Sequence, residues 1–213
     1  MRSVAILGGK GGSTKTATSH LLCLGATLQG APACYVLTDP MRKVRSEGRP
    51  YAVLDGRLPE QQGVIFSSRD NTLNGWLIVD GGGNRPEVDK RIAENVDLTL
   101  IPFRASEEDV DTVAQSLKDI PNALAWPSAW PTNGFAVKAA QYLLDGLAKA
   151  FPGRVMSPSI PFVNSMSDLL AANLVSPSSP VRTAARKIFV TMSDYYDSHA
   201  APKIEPSAEA KTA

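Results

Sequence analysis

The chain has 213 residues, 43% of them apolar and 20% charged, which suits one globular domain with a sizeable core and excludes a largely disordered chain. Its 22 basic and 21 acidic residues leave a formal net charge of +1, so nothing global points to nucleic acid and any such contact must come from a local patch. No stretch approaches about 18 continuous apolar residues and no signal-peptide pattern precedes the first strand-like run, so neither a membrane span nor export is expected and a cytoplasmic protein is.

The first run, Val4-Ala5-Ile6-Leu7, leads into GGKGGSTKTATS, residues 8 to 19. A buried strand, a glycine-rich turn and then Lys15-Thr16 opening a helix is the layout of a phosphate-binding loop, where backbone N–H groups and a helix N-terminus surround polyphosphate oxygens. The candidate nucleotide-binding residues are Gly9, Lys10, Gly11, Gly12, Ser13, Thr14, Lys15, Thr16 and Ala17. Lys15 would neutralise β/γ-phosphate charge, and the Thr16 hydroxyl would ligate Mg²⁺. A tight packing turn is the plain alternative, but the full KGGSTKT behind a strand is far rarer than a lone glycine pattern.

Two features depart from the general GxxxxGK[ST] pattern: an additional lysine, Lys10, stands five positions before Lys15, and Thr14 occupies the place of a glycine. KGGxxKT with its early lysine marks the deviant P-loop group, and here the chain resembles the ParA/MinD family of dimeric ATPases. The resemblance implies ATP/ADP and Mg²⁺ as ligands, a homodimer formed with ATP, and a Lys10 that reaches the partner's nucleotide. Lys10, Lys15 and, further on, Asp39 are then the catalytic candidates.

Residues 17–28 carry apolar positions at helical spacing, ended by Gly30 and Pro32, and Cys34-Tyr35-Val36-Leu37 is a short strand closing at Thr38-Asp39-Pro40. Cys23 and Cys34 lack CxxC spacing and read as small hydrophobes rather than as a disulfide or metal site. By resemblance, Asp39 lies near the γ-phosphate, where it positions the attacking water or the Mg²⁺ shell; an Asp-Pro turn is the bland reading. Arg42, Lys43, Arg45 and Arg49 form a basic cluster with no assigned role. Residues 51–70 are weakly patterned, with turn-like points at residues 54–56 and 62–64.

Trp76-Leu77-Ile78-Val79-Asp80 is a continuous apolar run ending in an acid, as in a strand buried on both faces of a parallel sheet. Asp80 is the third metal candidate, beside Thr16 and Asp39, and Asp80-Gly81-Gly82-Gly83 resembles the Asp-Gly-x-Gly switch of small ParF-like partition ATPases. Residues 97–103 read as another strand, Ser106 as the cap of a helix through Leu117, and residues 122–126 as a further strand. A helix follows over 135–151. By resemblance Asn133 and the backbone around Pro161 contact the adenine, and Trp126 and Trp130 are core or rim aromatics on the ordinary reading.

The last helix begins at Ser178-Ser179-Pro180 and buries Val181, Ala185, Ile188, Met192 and Tyr195. Arg182 and Arg186 share another face of it with Lys187 nearby, at the place where relatives bind DNA without sequence preference, although solvated helix charge is the plainer reading of them. Residues 199–213 read as a mobile tail beyond a single 1–198 domain, without the amphipathic pattern of a membrane anchor.

The expected fold is therefore a single-domain α/β P-loop NTPase, a mostly parallel twisted sheet with helices on both faces. The resemblance implies a nucleoid-associated partition ATPase, without an N-terminal helix-turn-helix region, that positions plasmid, chromosome or other cargo with a ParB-like centromere-binding or other adaptor protein. Two further readings are a nucleotide-gated interaction module with little or no hydrolysis and a metabolic P-loop enzyme. An iron-protein role is disfavoured because Cys23 and Cys34 lie in the wrong stretches to bridge a cluster.

Overall fold

A computed structural model describes residues 1–10, 12, 14–69, 74–83, 85–174 and 176–200. Six strands, β1 (Arg2–Ile6), β2 (Ala33–Leu37), β3 (Ala52–Asp55), β4 (Trp76–Asp80), β5 (Leu98–Phe103) and β6 (Ala123–Pro127), form one sheet in the order β3-β2-β4-β1-β5-β6. Every pairing between these strands is parallel. The helices are α1 (Lys15–Leu28), α2 (Pro59–Arg69), α3 (Pro86–Glu94), α4 (Glu107–Asp119), α5 (Gly134–Ala150) and α6 (Ser179–His199), with a 3₁₀ helix at Asn164–Leu170.

Side-chain alternation along β1 explains why its run is apolar without interruption. Val4 and Ile6 join a core with residues of α1, α6 and the 3₁₀ helix, while Ala5 and Leu7 join a second core with residues of α3, α4 and α5. Both faces of the strand are thus covered, as a parallel sheet requires. The strongest helix–helix contact is α1 on α6: a Cβ on Gly25 would run into the Ala185 carbonyl and the Phe189 Cβ. Trp126 is fully buried and its Nε1 donates to the Pro158 carbonyl at 2.9 Å, so of its two expected fates it has the core one.

Within the weakly patterned 51–70 stretch, residues 52–55 form a strand and 59–69 a helix, which corrects the turn-like reading of them. Leu54-Asp55 ends the edge strand β3, and residues 62–64 lie within α2. Only Gln62 of α2 is fully buried, so that helix has no apolar stripe strong enough to announce it. Pro86 starts α3, a nine-residue helix whose buried apolar residues are only Ile92 and Ala93. Ser106 does cap α4, accepting from the Asp109 N–H at 3.3 Å. Ser178 does not cap α6 with its side chain; the hydroxyl instead shares a hydrogen bond with Ser165 at 2.8 Å. Of the expected tail, residues 201–213 lie outside the described residues, and α6 itself runs through His199.

Candidate functional site

Strand order decides where the chemistry gathers. β1 is central, β4 lies beside it and β2 beside β4, so the loops leaving all three strands meet at one carboxyl edge, the usual ligand crevice of an open parallel sheet. Short bonds fasten these strand ends together: Gly81 N–H donates to the Ile6 carbonyl at 3.0 Å, and Thr38 Oγ1 to the Asp80 carbonyl at 2.8 Å. Gly81 has no room for a side chain, since a Cβ would lie 2.6 Å from Leu7 Cδ2.

The loop after β1 encloses a cavity of about 300 Å³ whose lining includes Gly12, Thr14, Lys15, Thr16, Ala17 and Asp39. Gly81, Gly83, Arg42 and Arg104 complete much of its wall. Gly11 and Ser13, both expected to touch a nucleotide, lie outside the described residues, as does Asn84 beside the switch glycines. Gly9 and Lys10 face a separate crevice toward α4.

Lys15 is largely buried, and its Nζ donates to the Lys10 carbonyl at 2.8 Å, closing the loop on itself. Burial lowers its pKa, with Asp89 and Asp80 pulling the other way. A buried ammonium of this kind favours an anionic neighbour, because negative charge offsets its desolvation.

Asp80 is completely buried beneath this cavity. Its Oδ2 accepts from the Tyr35 hydroxyl at 2.6 Å, while Oδ1 has no hydrogen-bond partner. Burial raises its pKa to about 6, against the opposing hydrogen bond from Tyr35 and the neighbouring Thr16 hydroxyl. An unpartnered carboxylate oxygen near a Thr hydroxyl and a phosphate-binding loop fits a magnesium ion that keeps phosphate and water among its ligands. Among the described residues no group of three His, Cys, Asp or Glu side chains is gathered to make an all-protein metal cage.

Asp39 sits on the same rim with both carboxylate oxygens engaged. Oδ1 accepts from the Met41 N–H at 3.0 Å, and Oδ2 lies 3.4 Å from Arg42 Nε. Lys10 turns toward its own chain: Nζ lies 2.7 Å from Asp109 Oδ1 and 2.8 Å from Glu108 Oε2, at the start of α4. These two carboxylates raise its pKa.

Thr14 has a left-handed backbone, φ 64°, which explains why glycine is usual at this position. Its hydroxyl donates to Ser128 Oγ at 2.8 Å, and Ser128 in turn donates to the Phe103 carbonyl at 3.0 Å, so the loop is tied to the ends of β5 and β6. Asn133 caps α5, its Oδ1 accepting from Phe135 and Ala136 N–H at 2.9 and 3.4 Å. Pro161 pairs with Trp130 beyond β6, and neither Asn133 nor Pro161 lines the loop cavity. Arg182, Arg186 and Lys187 are exposed on α6, and none makes an ion pair among the described residues.

Sequence reasoning missed several groups at this edge. Asp89 of α3 is buried, its Oδ1 is unpartnered, and burial raises its pKa to about 6 while the Gly8 amide and Lys15 oppose the rise. Tyr35, Ser128 and Arg104 were equally unmarked, since each reaches the site from a distant segment and belongs to no local pattern.

A parallel sheet with a KGGxxKT loop on its central strand and an acid on the neighbouring strand tip defines a P-loop α/β protein. No protein-family model matches the sequence, and no curated protein matches it. Among solved structures, McdA from Cyanothece in complex with ATP is similar at a TM-score of 0.65 and 15% identity, over 91% of this chain and 96% of that one. Cobyrinic acid a,c-diamide synthase from Mycobacterium smegmatis, with an ATP analogue and magnesium bound, gives 0.67 and 15% over 93% and 96%. A Borrelia burgdorferi B31 protein assigned to plasmid partition and bound to AMPPNP gives 0.65 and 10% over 91% and 99%. The cell division ATPase MinD of Pyrococcus furiosus is similar as well. The chain has the fold of the ParA/MinD-type deviant Walker A ATPases.

Proposed function

We propose that this chain is a ParA/MinD-type ATPase that binds ATP with magnesium, dimerises on it and uses the cycle to position a cargo. The observation that carries the reading is the convergence of Lys15, Thr16 and the half-satisfied Asp80 carboxylate at one sheet edge, with Gly81 and Gly83 beside them. The similar structures that contain ATP, an ATP analogue or AMPPNP support it.

In this reading the Gly12-to-Thr16 main chain and Lys15 hold the phosphates, and Thr16 with Asp80 would hold the magnesium. That ion would supply charge neutralisation on the β- and γ-phosphate oxygens. Asp39 orients the attacking water once its bond to the Met41 amide opens, which makes turnover slow until an adaptor, of the ParB-like kind, rearranges the 39–49 segment. Lys10 crosses to the partner's nucleotide after leaving Glu108 and Asp109. Arg182, Arg186 and Lys187 form the non-specific DNA contact that would place the dimer on the nucleoid, with a plasmid, chromosome or other body as cargo.

Sizing the protein with ATP, with ADP and without nucleotide, each with and without DNA, tests the whole cycle. A dimer that forms only with ATP and then retains DNA is expected; a monomer under every condition refutes the reading. Lys15→Ala should abolish ATP binding, whereas Lys10→Ala should spare much of it and lose the dimer.

A nucleotide-gated interaction module that turns over little or no ATP is the second reading, favoured by the engaged Asp39 carboxylate and the strained Thr14 backbone. Equal affinity for ATP and ADP, with no phosphate release, distinguishes it.

A further inference from the structure

Beside the P-loop cavity, and sharing Thr16, Arg42 and Leu170 with it, lies a second cavity of about 350 Å³. Its wall carries Arg42, Lys43, Arg45 and Arg49 and no carboxylate. Among the described residues only Arg42 of these four cations has an acidic partner within ion-pair distance, Asp39 at 3.4 Å.

Arg45 and Arg49 are held in place by main-chain carbonyls, which satisfy hydrogen bonds and bring no negative charge. Arg45 donates to the Leu170 carbonyl, and Arg49 donates to those of Leu169 and Ala171 at 2.9 and 3.0 Å. Leu174 N–H closes the same joint on the Glu47 carbonyl at 3.1 Å. Arg49 Nε is buried without any partner. His20 and Tyr35 also line the cavity, their rings stacked with centroids 4.1 Å apart. Burial, reinforced by Arg49 and Arg42, pushes the His20 pKa down to about 3, so the imidazole is neutral and adds no charge of its own to the wall.

A wall of like charges raises the free energy of the folded chain unless an anion balances it. Here exposed Lys43 and Arg45 and half-buried Arg49, without acidic partners among the described residues, are gathered around a concavity lined by aromatic rings. Its volume lies at the small end of the roughly 300–1,000 Å³ range of small-molecule pockets, and a duplex backbone, which tracks along an open surface, does not enter such a space.

We propose that this cavity is a second anion-binding site, taking a small molecule with two or more carboxylate or phosphate groups beside the terminal phosphate of a bound nucleotide. The final clause rests on the nucleotide reading above; the anion site itself does not.

The test is calorimetric titration of the full chain, at constant free magnesium, with fructose 1,6-bisphosphate as the phosphate probe and tricarballylate as the carboxylate probe. Protein saturated with AMPPNP has its P-loop filled, so saturable heat from either probe supports the second site, and the probe that binds identifies the group it prefers. Lys43→Ala, which removes a side chain with no hydrogen bond or ion pair among the described residues, and Lys43→Ala with Arg45→Ala should weaken the probe by about tenfold or more while AMPPNP affinity stays within about twofold. Without nucleotide, Lys15→Ala should keep the probe. No saturable binding of either probe overturns the proposal. So does binding lost in Lys15→Ala and kept in the Lys43 and Arg45 variants, because the anion is then in the P-loop. Failure of AMPPNP to bind the unaltered chain sinks the nucleotide reading alone, and the probe result still stands.

Discussion

Thr14 combines a left-handed backbone with a β-branched side chain, a conformation that costs about 1–3 kcal/mol, and its hydroxyl returns part of that through Ser128. The two contributions separate by substitution. Thr14→Gly removes the strain and the bond together and should leave stability within about 1 kcal/mol of the parent, whereas Thr14→Ala keeps most of the strain, loses the bond and should cost about 1 kcal/mol. Urea denaturation midpoints in the order Gly above Ala confirm the account; Ala equal to the parent contradicts it. Asp89 poses a different question, because its carboxyl titrates at about 6 in the folded chain and near the ordinary carboxylate value when unfolded. Between those pH values the native state keeps a proton that the unfolded state has released, so Asp89 removes stability as the pH rises from about 4 to 7. Asp89→Asn has nothing to titrate and should gain roughly 2 kcal/mol relative to the parent across that interval, read as the difference between two stability-versus-pH curves. Parallel curves would show that folding leaves the Asp89 pKa unshifted. Lys15 and Thr16 were legible from their own neighbours in the chain, whereas Asp89, arriving from another element, was not.

At the scale of elements, legibility followed burial. β1, β4 and β5 are covered on both faces and show it as apolar runs, interrupted within β5 only at the buried Thr99, while β3 is a half-exposed edge strand and α2 buries only Gln62, so neither left a pattern. The α1–α6 contact was also hidden, because periodicity shows that a helix has an apolar face and not which helix covers it. Gly25 carries that contact. An alanine there gains helix propensity of about 1 kcal/mol yet drives a methyl into the Ala185 carbonyl, and overpacking of about 1–3 kcal/mol should win. Gly146 in α5 supplies the control, since a Cβ there meets nothing within 4 Å. Gly146→Ala should raise the melting temperature and Gly25→Ala should lower it; a rise in both would mean that α6 can move away from α1 without loss.

For the molecule as a whole, the position of Lys10 sets a condition on assembly. Its ammonium is held in its own chain by Glu108 and Asp109, so any route that sends it to a partner subunit must first break two ion pairs. The pairs are unequal: the Glu108 side chain is 78% exposed, while that of Asp109 is 9% exposed and also accepts from the Arg104 N–H at 3.3 Å. Exposed ion pairs contribute little, so Glu108→Gln should lower the protein concentration needed for the ATP-bound dimer by only about two- to fivefold, without disturbing the fold. Asp109→Asn should act in the same direction and more strongly, since an amide holds an ammonium less tightly than a carboxylate does. Both effects must vanish in a Lys10→Ala background, where nothing remains to be released. Sedimentation at graded protein concentrations with ATP reads all of these, and high salt should narrow the gap between parent and Glu108→Gln because the exposed pair is already screened. Unchanged dimerisation in both acid variants would mean that Lys10 stays with α4 in the assembled state, and a crossing lysine would then have no part in joining the subunits.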